Sequence, residues 1–178
     1  MILGTDIAPY LAGPFLGACG LLAVAGAGKV LRPVPALAAV RAVGLRLPRP
    51  VVIVFGAGEI AAALVGAMFG GRTALAVAAC YLVLTVFALG LRRRAPATPC
   101  ACLGSSSAVV TRLHVVVNVA AIGVALIAAS GGPPLAQVSG RPLAGAVFVV
   151  LVACCVKLAA LALEALPELT TVTREGTT

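Results

Sequence analysis

Two cysteines separated by one small residue, Cys100 and Cys102, lie in a short polar stretch of an otherwise almost continuously apolar sequence. Residues two apart in an extended backbone point the same way, so the two sulfur atoms can meet. The small ring constrains the geometry of such a disulfide, and strain makes a disulfide easier to reduce. The spacing therefore indicates either thiol–disulfide exchange or metal binding.

The composition indicates a membrane protein. Hydrophobic residues make up 62% of the 178 residues, charged residues make up 10%, and the mean hydropathy is +1.17. This leaves too little polar surface for a soluble domain. A helix needs about 20 apolar residues to cross a hydrocarbon core of about 30 Å. Segments near this length lie at Ile7 to Val30, Val51 to Phe69, Thr73 to Leu91, His114 to Ser130 and Leu143 to Leu166.

We predict an all-α, polytopic membrane helical bundle that forms a single integral membrane domain over residues 1–178. It comprises a core of about 7–130, an extra C-terminal helix of about 143–166 and a mobile tail of 167–178. Gly66 and Gly70 have the GxxxG spacing that lets helices approach closely in lipid. The remaining cysteines lie in apolar runs, where cysteine usually behaves as a small hydrophobic residue: Cys19, Cys80, Cys154 and Cys155.

The basic residues predict the orientation in the cell membrane. Most of the +8 net charge lies between apolar segments, where the positive-inside rule places it, so we exclude nucleic-acid binding. The first connection, Leu31 to Pro50, is basic and rich in proline, and the third connection is also basic. The second connection, a tight turn at Gly70 to Arg72, and the fourth hold only Arg72 and Arg141. This distribution predicts an N-terminus outside and a C-terminus inside, with Cys100 and Cys102 on the cytoplasmic side.

Four further polar residues are candidates for a site with the two cysteines. Glu59 lies roughly 12 Å into the second segment, too deep for its short side chain to reach water easily. Lys29 ends the first segment, and His114 and Asn118 share one helix face at the start of the fourth. Simpler explanations are a protonated Glu59 with one hydrogen bond, a Lys29 that extends to the interface, and a histidine without a role.

The alternation of the segments places all these residues toward one side of the membrane. There, Lys29 or a protonated His114 would lower the pKa of a loop thiol and favour the thiolate, and Glu59 would transfer a proton. Two alternatives use the same residues. Cys100, Cys102, His114 and Glu59 would make a tetrahedral zinc set, although this spacing matches structural zinc sites weakly. The other is a non-catalytic membrane assembly subunit.

The motif around the cysteines also carries a resemblance. Lys29, Glu59, the run Cys100-Ala-Cys-Leu-Gly104 and Asn118 together resemble the MauE family, within the broader DoxX-like group of redox-associated membrane proteins. The resemblance covers roughly Phe15 to Ser130. It implies a four-helix DoxX-like core, to which the fifth helix is an addition. Leu103 replaces the aromatic residue that is usual in the family's loop.

The resemblance implies a redox function in the maturation of other proteins. Such proteins assist the maturation of a disulfide-containing exported protein beside a thioredoxin-like partner, and the founding example is linked to methylamine metabolism. The resemblance therefore implies a thiol–disulfide oxidoreductase that uses Cys100 and Cys102 with Glu59, Lys29, His114 and Asn118. We expect no metal or other cofactor, and the spacing supports no quinone pocket. Export-side chemistry would place the cysteines outside, whereas the basic residues place them inside, a conflict that an electron relay from the cytoplasm would resolve.

Overall fold

The computed structural model describes residues 8–96, 98, 110–134 and 150–158. Within these ranges the chain forms helices and no strand, which confirms the predicted all-α class. The helices are α1 (Ala8–Leu31), α2 (Pro33–Ala42), α3 (Arg49–Phe69), α4 (Ala74–Arg94) and α5 (Arg112–Ala128). A short 3₁₀ turn, Gly71–Thr73, precedes α4.

Among the described residues, three stretches are long and apolar enough to cross a membrane: Ala12–Leu31, Arg49–Phe69 and Gly71–Arg94. They correspond to the first three predicted segments. The fourth is the 17-residue apolar helix α5, at the short end of the range for a spanning helix. Residues 150–158 of the fifth segment are helical. The protein is therefore a membrane protein, while the four-plus-one helix count and the DoxX-like core stay predictions.

The first connection differs from the prediction. Leu31 to Pro50 was expected to be a proline-rich connection, but it contains the ten-residue helix α2. Proline is tolerated in the first helical turn, where its missing N–H has no acceptor to lose, and Pro33 occupies that turn. At the other end Gly44 has a φ of +89°, the left-handed conformation in which glycine ends helices.

The turn between α3 and α4 is as tight as predicted. Gly70 and Gly71 both have positive φ, 58° and 53°, and the Thr73 hydroxyl donates a hydrogen bond to the Gly70 carbonyl oxygen at 2.7 Å. A Cβ on Gly70 would lie 2.6 Å from the Gly132 carbonyl oxygen. At this end of the bundle, the α3–α4 turn therefore packs against the chain that follows α5.

The core lies between α1, α3, α4 and α5. Its largest fully buried apolar side chains include Phe15 and Leu22 of α1 and Val77 of α4. The buried hydroxyl of Tyr81 donates a hydrogen bond to the Ala18 carbonyl oxygen at 2.7 Å, which ties α4 to α1. A smaller cluster lies at the end of the bundle opposite the α3–α4 turn. It joins α2, the last turns of α4 and Val110, just before α5.

The described part of the fifth segment packs on α1. A Cβ on Gly20 would lie 2.8 Å from Cγ2 of Val156, so the missing side chain permits this close approach. Cys100, Cys102, the tail of 167–178 and the rest of the 143–166 segment lie outside the described residues.

Candidate functional site

A buried ion pair between Lys29 of α1 and Glu59 of α3 is the main polar feature of the described bundle. The Lys29 ammonium lies 2.8 Å from Oε2 and 3.0 Å from Oε1 of Glu59, so it donates to both carboxylate oxygens. Glu59 is fully buried and Lys29 is 7% exposed. Lys29 therefore does not extend to the interface; its side chain turns inward to residue 59.

Two glycines bring the backbones of α1 and α3 close enough for this pair. A Cβ on Gly26 would lie 2.5 Å from the Gly56 carbonyl oxygen, and a Cβ on Gly56 would lie 2.8 Å from the Gly26 carbonyl oxygen. Each glycine precedes its charged residue by three positions, so glycine and charge share one helix face. The helices cross at Gly26 and Gly56. A Cβ on Gly56 would lie 2.9 Å from Cβ of Lys29, and a Cβ on Gly26 would lie 3.1 Å from Cβ of Glu59, so the ion pair spans the crossing.

The surroundings of Lys29 are largely apolar. Its ammonium lies 5.8 Å from the centre of the Phe55 ring, within cation–π range, and 3.4 Å from the Ala25 carbonyl oxygen of its own helix. No buried side-chain nitrogen or oxygen atom in the described residues lacks a hydrogen-bond partner. The low dielectric around the pair strengthens its attraction, and the same burial makes either charge costly alone.

Lys29 lies in the last turn of α1, on the side of the bundle where α4 ends and α5 begins, whereas Glu59 lies at the middle of α3. The Arg94 guanidinium at the end of α4 donates to the Val43 carbonyl oxygen at 2.7 Å, and Val110 packs with Val43 and Leu91. Both ends of the segment that contains Cys100 and Cys102 are therefore held against α2, the helix that directly follows Lys29 and α1. The cysteines themselves lie outside the described residues.

His114 has a structural contact of its own. Its Nδ1 accepts a hydrogen bond from the Thr111 backbone N–H at 3.3 Å and lies 2.9 Å from the Thr111 hydroxyl oxygen. His114 thereby takes part in the cap that starts α5. Asn118, one turn on, is half-buried and makes no side-chain hydrogen bond within the described chain. Of the predicted site residues that the structure describes, Lys29 and Glu59 contact each other, while no hydrogen bond connects His114 or Asn118 to them.

The described residues contain no group of three or more His, Cys, Asp or Glu side chains that could hold a metal ion. The zinc set considered above includes Cys100 and Cys102, which lie outside those residues. Cys19 is buried in the core and Cys80 is partly buried, as expected for small hydrophobic residues. Cys154 and Cys155, which belong to the helical residues 150–158, are exposed.

Sequence reasoning missed three parts of this site: Phe55, the Gly26–Gly56 crossing and the helix α2. The spacing Gly-x-x-Lys in α1 and Gly-x-x-Glu in α3 was a usable signal, because it places a small residue and a charge on the same face of each helix. No comparable pattern marked Phe55.

Over the described residues, the fold and the buried pair define an all-helical membrane protein whose first and second long helices share an ionic contact. A family model described as methylamine utilisation protein MauE matches residues 7–131, and the chain belongs to this MauE family. The match confirms the resemblance drawn from Lys29, Glu59, the cysteine motif and Asn118. No curated protein and no solved structure matches the chain.

Proposed function

We propose that this protein is a membrane thiol–disulfide or electron relay that assists the maturation of a disulfide-containing exported protein. Cys100 and Cys102 cycle between dithiol and disulfide in this proposal. A thioredoxin-like protein exchanges electrons with them, and this exchange supports the maturation of an exported client that contains disulfides. The family description names methylamine utilisation, and we place the proposed role in that metabolism.

The buried Lys29–Glu59 pair is the observation that carries the proposal. Ionisable groups inside a membrane are costly and usually functional, and Lys29 lies in the last turn of α1, on the side of the bundle that holds both ends of the cysteine segment. A cation near a thiol favours the thiolate, which is the nucleophile in exchange, and a carboxylate accepts or returns the proton. The pair thus offers both of the groups that thiol exchange needs.

The exchange itself balances without another cofactor. The thiolate of one cysteine attacks the partner's disulfide, forms a mixed disulfide and releases a partner thiolate. The second cysteine then attacks the mixed disulfide, which leaves an oxidised Cys100–Cys102 pair and a reduced partner. Two electrons and two protons pass to the partner, and the reverse sequence returns them.

Trapping the mixed disulfide tests the proposal. In the Cys100→Ser and Cys102→Ser single variants, the remaining thiol has no resolving neighbour, so one of them should accumulate a covalent adduct with a thioredoxin-like protein. Diagonal gel electrophoresis and mass spectrometry of membranes quenched with acid would identify the adduct. Cys154→Ser is the matched control, since it removes an exposed cysteine elsewhere and should leave trapping unchanged.

Two results would contradict the relay. Stoichiometric zinc in the purified wild-type protein, lost in the Cys100→Ala, Cys102→Ala double variant, would indicate a metal-binding protein. Full client maturation with that double variant would indicate an assembly subunit without thiol chemistry.

A further inference from the structure

A polar cleft and an apolar cavity adjoin where α2 ends and α3 begins. The cleft, of about 660 Å³, is lined by Arg41 of α2 and by Gly44, Arg46, Leu47 and Pro48 of the connection to α3. The cavity, of about 210 Å³, lies between α2, α3 and α4 and meets the cleft at Leu47, which lines both. A single ligand with a polar head and an apolar chain can therefore occupy both.

The cleft presents positive charge. Arg41 and Arg46 are both exposed. Arg94, at the end of α4, approaches from the other side, because its Nη1 would lie 3.7 Å from a Cβ on Gly44. Guanidinium groups bind phosphate oxygens with two parallel hydrogen bonds. The cleft therefore matches the phosphate of a headgroup.

The described residues offer these arginines no counter-ion. Within the part of the chain that the structure describes, Glu59 is the single carboxylate side chain, and it is buried and bonded to Lys29. Positive charge without a carboxylate nearby attracts anionic lipids to a membrane surface. The charge at this cleft therefore favours an anionic ligand.

The cavity suits an acyl chain. Its walls are apolar side chains from three helices and the connection before α3: Ala36, Val40, Leu45, Leu47, Phe55 and Phe87. Lys29 also borders it, but its ammonium is bonded to Glu59. Cavities with apolar walls accept apolar ligands, and one of about 150 Å³ already admits a benzene ring. This larger cavity has room for several methylene groups.

The two spaces lie at the depths that a phospholipid requires. Among the membrane-length helices, α3 begins at Arg49 and α4 ends at Arg94, so this end of both helices meets the headgroups. Val51 and Val83 line the cavity and are 44% and 50% exposed, so the cavity opens toward lipid. The cleft therefore lies at the level of the headgroups, and the cavity lies in the adjacent hydrocarbon.

We propose that the cleft and the cavity together bind one anionic phospholipid. Its phosphate accepts hydrogen bonds from Arg41 and Arg46, and the first part of one acyl chain enters the cavity past Leu47. A zwitterionic lipid carries an amine that the arginines repel, so an anionic headgroup fits better. This lipid site goes beyond the proposed thiol relay and does not depend on it.

Binding of phosphatidylglycerol to the purified full-length protein in detergent micelles, followed by native mass spectrometry, tests the head contact. Arg41→Gln and Arg46→Gln should each weaken binding about fivefold, the factor expected for one basic residue near an anionic lipid, and the double variant about 25-fold. Arg112→Gln is the matched control. It removes the same charge from an exposed residue at the start of α5, on the same side of the bundle, and lines neither space, so it should bind as the wild type does.

Filling the cavity tests the chain contact. Ala36→Leu adds bulk to a residue that lines the cavity, whereas Ala38→Leu makes the same change at an exposed residue of α2 that does not line it. The first should weaken binding about tenfold, because displacing two methylene groups of the chain already corresponds to that factor. Val83→Trp and its outer-face control Val86→Trp provide a second pair on α4. Size-exclusion profiles and circular dichroism establish that each variant is folded.

Several results would overturn the lipid site. Phosphatidylcholine might bind as tightly as phosphatidylglycerol, or glycerol phosphate, which has the head without the chains, might compete as well as the lipid. The site is also refuted if Arg112→Gln weakens binding as much as Arg41→Gln, or if both cavity-filling variants bind as their controls do. A severalfold gain in affinity with the double variant Glu168→Gln, Glu175→Gln would refute it too, because the acidic end of the chain would then occupy the arginines.

Discussion

Lys29 and Glu59 are 30 residues apart in the sequence and meet at 2.8 Å inside the bundle. Burying two charges is expensive, and apolar residues of similar volume often replace such a pair at no cost in stability. A buried pair is therefore weak evidence for a role in stability alone. In this protein Lys29 lies in the last turn of α1, on the side of the bundle that holds both ends of the cysteine segment, which favours a functional reason for the pair.

The stability of the pair gives the first prediction. Glu59→Leu leaves the Lys29 ammonium buried without its carboxylate and should lower the free energy of unfolding by about 3 to 5 kcal/mol. The double variant Lys29→Met, Glu59→Leu should lose much less, because it leaves no unpaired charge. Unfolding in mixed detergent micelles measures both. Equal losses in the double variant and in Glu59→Leu would show that the two side chains do not stabilise each other.

His114 shows a limit of sequence reasoning at the residue scale. As the only histidine of the chain, it was a candidate ligand or base. The structure engages its Nδ1 with Thr111 at the start of α5, a capping contact that needs both a side-chain acceptor at residue 114 and the local backbone conformation. Its role in thiol chemistry stays a prediction and would fall to Nε2.

At the scale of the helices, the crossing of α1 and α3 positions the pair. The carbonyl oxygens of Gly26 and Gly56 occupy the space that a side chain on the facing glycine would need. Without this close approach, the short Glu59 side chain would not reach Lys29. The small size of Gly26 and Gly56 therefore permits the ionic contact between Lys29 and Glu59.

The second prediction uses two glycines of α3. Gly56→Ala places a methyl group 2.8 Å from the Gly26 carbonyl oxygen and 2.9 Å from Cβ of Lys29, so the helices must separate. We expect a loss of about 1 to 3 kcal/mol in the free energy of unfolding. Gly58→Ala is the control, because nothing lies within 4 Å of its added Cβ. That variant should be neutral or stabilised by up to about 1 kcal/mol, since alanine is the better helix former. A similar loss in both variants would refute the close crossing.

The sequence predicted the helices better than their connections and contacts. Apolar runs located α1, α3, α4 and α5, because a membrane-length helix leaves a long and simple signal. The helix α2 was missed because Pro33 and Pro35 suggested a loop, although proline suits a first turn. The contact of Lys29 with Phe55 could not be predicted, since it depends on how two helices pack, which no spacing within one helix records.

At the scale of the whole molecule, the alternation of helices places the ends of α1 and α4 and the starts of α3 and α5 on one side. This arrangement brings residues that are far apart in the sequence to the same side of the bundle. Which side of the membrane this is follows from the basic residues alone, and the orientation stays a prediction.

Reporter fusions test that orientation as the third prediction. A reporter enzyme active only in the cytoplasm, fused after Arg94 or after Thr178, should be active in both cases, because basic connections stay inside. The matched fusion after Arg72, in a connection with one basic residue, should be inactive. Activity of the Arg72 fusion together with inactivity of the other two would reverse the orientation and place the cysteines on the export side.

The measurement that tests the central claim most directly is the rate of thiol alkylation against pH, followed at Cys100 and Cys102 by mass spectrometry. If the pair and the cysteines form one site, removing the cation with Lys29→Met should raise the pKa of the reactive loop thiol and shift the profile to higher pH. Removing the carboxylate with Glu59→Gln leaves the cation unpaired and should shift the profile to lower pH. The double variant should return close to the wild type. Identical profiles in all four folded proteins would contradict the account, since neither charge would then act on the thiols.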